Sequence, residues 1–457
     1  MKIKNILIVV GSTWDASLAY NYSLKLKNNY NIFFLTWNIA TFNFLKKKTK
    51  KLFYLDIFEK YEKNDFLKNA LEFEKEYLLK NNLTLENLKF SDRNYYKLNN
   101  SNFLKIWVNI FLRLKYIIEE NNIDLSISQI SSSFIVRTLK YIWRKHIYID
   151  AFPLEKNKFL ISDIDESLQS SIINNLFDNS EISKINKWYI DIYIDKFISK
   201  NKMIYKPIIP KLFSKKNFVS FFKLLKEIEL KWHSSIFNRI RFQLNLIIKS
   251  KKSLLFYKYS KVNKKEKYIF FPIHVSEDAQ ILVRNQHYFN QINLIEIISR
   301  SLPLDYKLYI KEHPSNIWWI WLEWLKKIWK LEKVKIINPT ENSQYIIKES
   351  KWVIIINWSA WLETLARKKP LVILWNVFYW KWKNVYKCND ISQLTKAIKW
   401  IDNYEFNEED FYKLFDSILK WLYNWNCFDY YNIWENTENI ANSIDKYIQS
   451  LKNKKSI

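Results

Sequence analysis

The chain has 457 residues but a single Gly and 21 Trp, where about 32 Gly would be ordinary for the length. Its 48% apolar content and its two cysteines, Cys388 and Cys427, exclude collagen-like, low-complexity and disulfide-scaffold classes and leave no zinc cluster. The net charge of +27 favours nucleic acid, anionic lipid or a phosphorylated substrate as partner, although Lys abounds here together with Asn, Ile, Tyr and Phe, as in AT-rich genes.

From the start, Ile6 to Val10 reads as a buried strand and not as a leader, since no small-residue cleavage site follows. Residues 15–28 are helical in pattern, Ile32 to Leu35 is a second strand, and 56–81 and 103–121 read as helices. Ile123 to Ile130 is a strand, 132–144 a helix and Ile147 to Ile149 a strand again. Residues 215–262 are strongly basic, with Phe218, Phe221, Phe222, Leu225, Ile228 and Leu230 at helical spacing. That pattern fits a surface helix with a solvated Lys face better than a membrane-surface helix. A second rhythm begins at Tyr268 to Pro272, with strands at Tyr306 to Ile310, Val334 to Ile337, Val353 to Ile356 and Leu371 to Leu374. Helices lie at 288–300, 342–349 and 360–367, and 407–450 is helical. No apolar run reaches the roughly 18 residues of a membrane span.

This alternation predicts an α/β chain of two Rossmann-like domains facing a cleft, with C-terminal helices packing back. The boundaries are an N-terminal domain over 1–205, a basic helical connector over 206–264, a C-terminal Rossmann-like domain over 265–400 and C-terminal helices over 401–457.

Many Trp stand where the local pattern asks for Gly, as in Gly11-Ser12-Thr13-Trp14-Asp15, Asn357-Trp358-Ser359-Ala360-Trp361 and Leu374-Trp375-Asn376. Turns, helix ends and phosphate loops need left-handed backbone or close approach, which Gly supplies cheaply. The expectation is that most of these Trp are UGA codons that encode Gly, while some, such as Trp107 and Trp188, are native Trp.

Four segments carry the chemistry, each at a strand end, where open α/β sheets bind ligands. They are Phe271 to Gln280, containing His274, Asp278 and Gln280; Leu308 to Ser315, containing Lys311, His313 and Pro314; Ile355 to Leu365, containing Asn357, Ser359 and Glu363; and Lys369 to Asn376. In the third, small residues at a helix start let backbone N–H groups approach a phosphate. Ser359 can donate to a phosphate oxygen, and Glu363 can accept from a ribose hydroxyl or interact with the helix dipole. His313 reads as a donor to a nucleotide phosphate or as a plain turn residue, and Lys311 adds positive charge under either reading. His274 and His313 lack the spacing and third ligand of a metal site.

The order of these segments resembles the capsule polysaccharide biosynthesis family, which includes the KpsC/KpsS-type Kdo transferases. The resemblance is clear over about 120 residues, from about 268 to 390. It implies a GT-B-type glycosyltransferase of surface polysaccharide synthesis that uses a nucleotide-activated sugar, such as a CMP-linked Kdo, with no further cofactor. By resemblance His313 and Pro314 contact the donor phosphate, Ser359 and Glu363 lie in the nucleotide site, and Asp278 and Gln280 sit at the cleft. His274 departs from the glutamine that some members carry there. The implied partners are the nucleotide sugar and a polysaccharide or glycolipid acceptor, at the inner face of the plasma membrane or free in the cytoplasm.

Sugar transfer needs a base for the acceptor hydroxyl or a carboxylate nucleophile. Asp15, beyond the first strand, is the leading candidate and doubles as a helix-cap acid. Asp92, beside Arg93, and Asp150, at a strand end, are the others. Asp163-Ile164-Asp165 has the form of a metal-binding Asp-x-Asp, but two Rossmann-like halves argue against the fold that uses it, so no metal is expected. A teichoic-acid-type polyol-phosphate transferase and a sugar-nucleotide 2-epimerase share the architecture. A basic nucleic-acid-binding protein is the reading from another class; it lacks a recognisable RRM, KH or zinc motif, so no nucleic-acid partner is expected.

Overall fold

The computed structural model describes residues 3–56, 66–92, 95–129, 133–142, 145–151, 158–162, 176–179, 182, 184–200, 257–275, 278–313, 322–356, 360–375, 377–424 and 433–453. The basic stretch over 215–262 therefore lies almost entirely outside the described residues.

The first sheet has seven strands: β1 (Asn5–Val9), β2 (Asn31–Thr36), β3 (Leu52–Tyr54), β4 (Leu125–Ser128), β5 (His146–Ala151), β6 (Lys158–Ser162) and β13 (Tyr423–Asn424). Its order is β13-β6-β5-β4-β1-β2-β3. β1 to β5 run parallel, while β6 and β13 are antiparallel additions at one edge. The second sheet contains β7 (Lys267–Pro272), β8 (Tyr306–Lys311), β9 (Val334–Ile337), β10 (Trp352–Ile355), β11 (Leu371–Ile373) and β12 (Val385–Lys387). All its pairings are parallel, in the order β12-β11-β10-β7-β8-β9. The chain is thus an α/β protein of two doubly wound halves, as the alternation predicted.

Strands of such sheets are covered on both faces, so they read as continuous apolar runs rather than alternating ones. β1 shows the consequence: Ile6 and Ile8 point into one core, Leu7 and Val9 into the other. β7 does the same, with Tyr268 and Phe270 on one side and Ile269 and Phe271 on the other.

The helices that matter below are α1 (Thr13–Leu26), α2 (Asn100–Glu120), α3 (Phe134–Ile142), α4 (Lys184–Lys200), α5 (Gln291–Ser301), α6 (Ser343–Glu349), α7 (Ala360–Ala366), α8 (Glu408–Trp421) and α9 (Ile433–Asn453). α4 lies within 1–205, yet its Ile190 and Ile194, one turn apart, are buried in the core of the second sheet. The C-terminal segment returns across both halves. In α8, Phe411, Leu414, Phe415, Ile418 and Trp421 join that same second-sheet core. β13 then interrupts the predicted single helical region. In α9, Ile440, Ala441, Ile444, Tyr447 and Ile448 enter the first-sheet core, where Ala16 and Ala19 of α1 are also buried. Tyr30 donates to the Asp445 carboxylate at 2.5 Å and ties the end of α1 to this helix. Ile444→Ala is expected to cost about 2–5 kcal/mol, since Ile444 is fully buried, and urea unfolding of the whole chain measures it.

Among the described residues, one set of contacts between the halves joins residues 87–137 to residues 283–289. Asn87 and Gln286 share two bonds: Asn87 Nδ2 donates to Gln286 Oε1 at 3.0 Å, and Gln286 Nε2 donates to the Asn87 backbone carbonyl at 2.8 Å. Buried Arg137 of α3 donates to the Val283 carbonyl at 3.3 Å, and Phe90 meets Phe289 edge-on at 4.9 Å.

Candidate functional site

In chain order the second sheet runs 3-2-1-4-5-6, so its direction reverses between β7 and β10. The carboxyl edge at such a reversal is where the connecting loops leave a crevice. The four segments singled out in the sequence follow β7, β8, β10 and β11. The pairing extends slightly past the strand ends: Ile273 N–H donates to Lys311 O at 2.9 Å, and Leu374 N–H to Ile355 O at 3.0 Å.

Lys311 ends β8 and is buried, with its Nζ donating to Ser343 Oγ at 2.7 Å at the start of α6. Burial pushes its ammonium down to about 8, while the charges of Glu363 and Glu341 pull the other way. Glu363, in the first turn of α7, is pushed up to about 7 by burial, opposed by Lys311 and Arg367. Arg367 is steered by Gln344, whose Oε1 accepts from Nε at 2.9 Å.

His313 is held below the usual imidazole range, chiefly by burial and then by Lys311, with Asp278 opposing. His274 is buried and pushed down to about 3 by burial and by the nearby His313. Both imidazoles are therefore neutral at neutral pH, next to one cation and one carboxyl poised near neutrality. Such a cluster can hold an anion and move a proton.

His274, Asp278, Lys311, His313 and Glu363 thus come together. Gln280 lies in the helix Ala279–Leu282, whose first turn is capped by Asp278 O, but its side chain is outside the described residues. Pro314, Asn357 and Ser359 also lie outside them. Ser343, Gln344, Arg367 and Gln291 belong to the site as well and carried no motif in the sequence. Their roles come from bonds to residues 17 to 32 positions away.

In the first sheet the direction reverses between β1 and β4, and Asp15 follows β1. Ser12 Oγ donates to Asp15 Oδ2 at 2.7 Å, and Asp15 N–H donates back to Ser12 Oγ at 3.1 Å. This is a helix cap on a partly exposed carboxylate. Asp92 is buried, and its Oδ2 accepts from Phe134 N–H at 3.2 Å, so it caps α3 from a distant part of the chain. Asp150 sits in β5 opposite Leu160 of β6, its side chain outside the described residues, as are Arg93, Asp163 and Asp165. Among the described residues no three His, Cys, Asp or Glu gather as metal ligands, and no helix is long and apolar enough to cross a membrane.

Fold and site define a class: a doubly wound two-sheet protein with a cluster of lysine, histidine and carboxyl groups at the switch point of its second sheet. The model of the family described as capsule polysaccharide biosynthesis protein matches residues 165–385. That segment contains every residue of the cluster. No curated protein matches the chain. Among solved structures the chain is similar to Thermosulfurimonas dismutans KpsC, beta Kdo 2,4 transferase, at 11% identity over 65% of this chain and 79% of that one, with a TM-score of 0.38. The beta Kdo 2,7 transferase of the same KpsC is 12% identical over 73% and 89%, with a TM-score of 0.36. The UDP-GlcNAc 2-epimerase from Methanocaldococcus jannaschii is 12% identical over 97% and 99%, with a TM-score of 0.26.

Proposed function

We propose that the chain is a glycosyltransferase of capsular polysaccharide biosynthesis, with a nucleotide sugar at the carboxyl edge of the second sheet and a polysaccharide or glycolipid acceptor on the first. The observation that carries this is the cluster of Lys311, His313, His274, Asp278 and Glu363 in the family-matched segment. Lys311 and His313 face the donor phosphate, where charge develops as the sugar leaves. A cation in a water-poor site stabilises that charge far more than it would in bulk water. Asp15 takes the proton of the acceptor hydroxyl. The donor is a CMP-linked acidic sugar of the Kdo type. The net charge of +27 favours the anionic inner face of the plasma membrane as its place of work.

Titration with CMP, CDP and UDP tests this. CMP is expected to bind most tightly; tight UDP binding without CMP binding would overturn the CMP-linked donor, and no binding of any of them would overturn the whole reading.

Binding is also expected to take up protons between about pH 7 and pH 8. A phosphate beside Lys311 and Glu363 favours the protonated form of each, so both proton affinities rise. Affinity should then fall as pH rises through about 8, where Lys311 loses its charge. Calorimetry in buffers of different ionisation enthalpy reads the uptake, and proton release on binding would remove the phosphate from Lys311.

A further inference from the structure

Gln291 is fully buried and opens α5. Its amide grips both backbone groups of one residue: Oε1 accepts from His274 N–H at 2.8 Å, and Nε2 donates to His274 C=O at 2.9 Å. The preceding residue, Ile273, is held from the opposite side by its bond to Lys311 O. The reason lies in the sheet. β10 pairs with β7 only as far as Phe270, so the chain beyond has a neighbouring strand on the β8 side alone. Gln291 supplies the missing partner for His274 with one side chain, in the reciprocal pattern that an antiparallel neighbour would offer. The root of the His274 side chain is thereby fixed.

The imidazole it fixes is unusual within this molecule. His274 Nε2 is buried with no hydrogen-bond partner. His146, also buried, has both ring nitrogens satisfied, Nδ1 with Ser126 Oγ at 2.7 Å and Nε2 with Ser128 Oγ at 3.0 Å. A histidine that serves packing alone is expected to look like His146, because an unsatisfied buried polar atom is costly. His274 leaves one nitrogen open beside His313, in the cluster already described.

We propose that Gln291 is a positioning residue, holding His274 so that its Nε2 donates a hydrogen bond to an anionic oxygen of the bound nucleotide. This rests on the reading of the cluster as the donor site. The neutral imidazole can carry its proton on Nε2, and an N–H aimed at a phosphate oxygen is a charge-assisted bond.

The test is a double-mutant cycle on the full chain, reading the affinity for whichever of CMP, CDP and UDP binds most tightly. His274→Ala and Gln291→Ala are each expected to weaken binding roughly tenfold. The double variant is expected to bind no more weakly than His274→Ala alone, because Gln291 acts through His274. Independent losses that multiply to roughly a hundredfold would overturn the proposal. Gln291→Glu covers the case in which Gln291→Ala does not fold. It keeps the acceptor for His274 N–H and loses the donor to His274 C=O, and its effect should likewise vanish in the His274→Ala background. If His313→Ala weakens binding but the Gln291 effect survives removal of His274, the positioning role alone falls. If the parent protein binds none of the three nucleotides, the donor-site reading falls and takes the proposal with it.

Discussion

Trp107→Gly is expected to destabilise the chain by about 4–6 kcal/mol: about 3–5 for deleting a buried indole and about 1 for Gly inside a helix. Trp107 lies in the middle of α2 and is fully buried. Its ring stacks on Phe111 at 5.2 Å and meets Phe73 at 4.6 Å, and its Nε1 donates to Thr138 Oγ1 at 3.0 Å. A loss of that size removes much of the net stability of an ordinary domain. Chemical denaturation with tryptophan fluorescence measures it; a change below about 1 kcal/mol would contradict the packing.

For the same exchange at 358, 361 and 375, where the sequence pattern asks for Gly, the expected readout is nucleotide binding. Trp361 is packed on Tyr379 at 4.6 Å and edge-on to Phe378 at 5.9 Å, and the Tyr379 hydroxyl is buried without a partner. Gly at these positions opens the start of α7 to a phosphate and should strengthen nucleotide binding. Peptide mass analysis of the protein made in its own cell is expected to show Gly at 358, 361 and 375 and Trp at 107. UGG codons at the first three would end the idea. What Gly would supply there is the absence of a side chain. Left-handed backbone among the described residues falls on Asn82 (φ 56°), Asn122 (φ 46°) and Lys368 (φ 54°), not on Gly11 or any Trp. Asn tolerates that region because its short polar side chain bonds locally.

Lys311→Met is expected to weaken nucleotide binding by roughly 2–3 kcal/mol, about 30- to 150-fold, while leaving stability unchanged or raised. The two effects separate because the buried ammonium is a cost to the folded chain and an asset to the bound phosphate. Its removal also frees Glu363 from an opposing cation, so the carboxyl should titrate above about 7 in the variant. The linkage has a definite sign. Glu363 has a raised folded pKa, so its contribution to stability is fullest below the ordinary carboxylate value and declines as pH rises toward about 7. Replacing Lys311 moves the end of that decline to higher pH. Unfolding midpoints from pH 4 to 9, beside nucleotide titrations at each pH, check both; parallel loss of stability and affinity would make Lys311 a structural residue only.

Much of the architecture was legible in the sequence. β9 was predicted at its observed bounds, and β1, β7, β8, β10 and β11 within a residue at either end. Runs such as Ile-Leu-Ile-Val and Val-Ile-Ile-Ile are buried on both faces, so the pattern is strong and local. The short strands β3, β6, β12 and β13, at or next to the sheet edges, did not declare themselves. Each has two to five residues, and pairing with a neighbour, not propensity, makes it a strand.

The same division holds for the site. His274, Lys311, His313 and Glu363 stood out because each follows a strand in a segment of unusual composition, which is local information. That they share one electrostatic environment was decided by the order β10-β7-β8, which brings together strand ends far apart in the chain. Asp92 shows what folding adds to a charged group: its carboxylate caps α3 because packing brings Phe134 N–H to it. Gln291 shows it most plainly, since an uncharged amide announces nothing until it meets the backbone of His274, just past β7 and beyond the reach of β10. The sequence by itself determined the doubly wound halves and the identity of the charged groups, because burial periodicity and residue type are written along the chain. Only the tertiary structure decided which of those groups lose water and which face one another, because desolvation and proximity arise when distant segments pack.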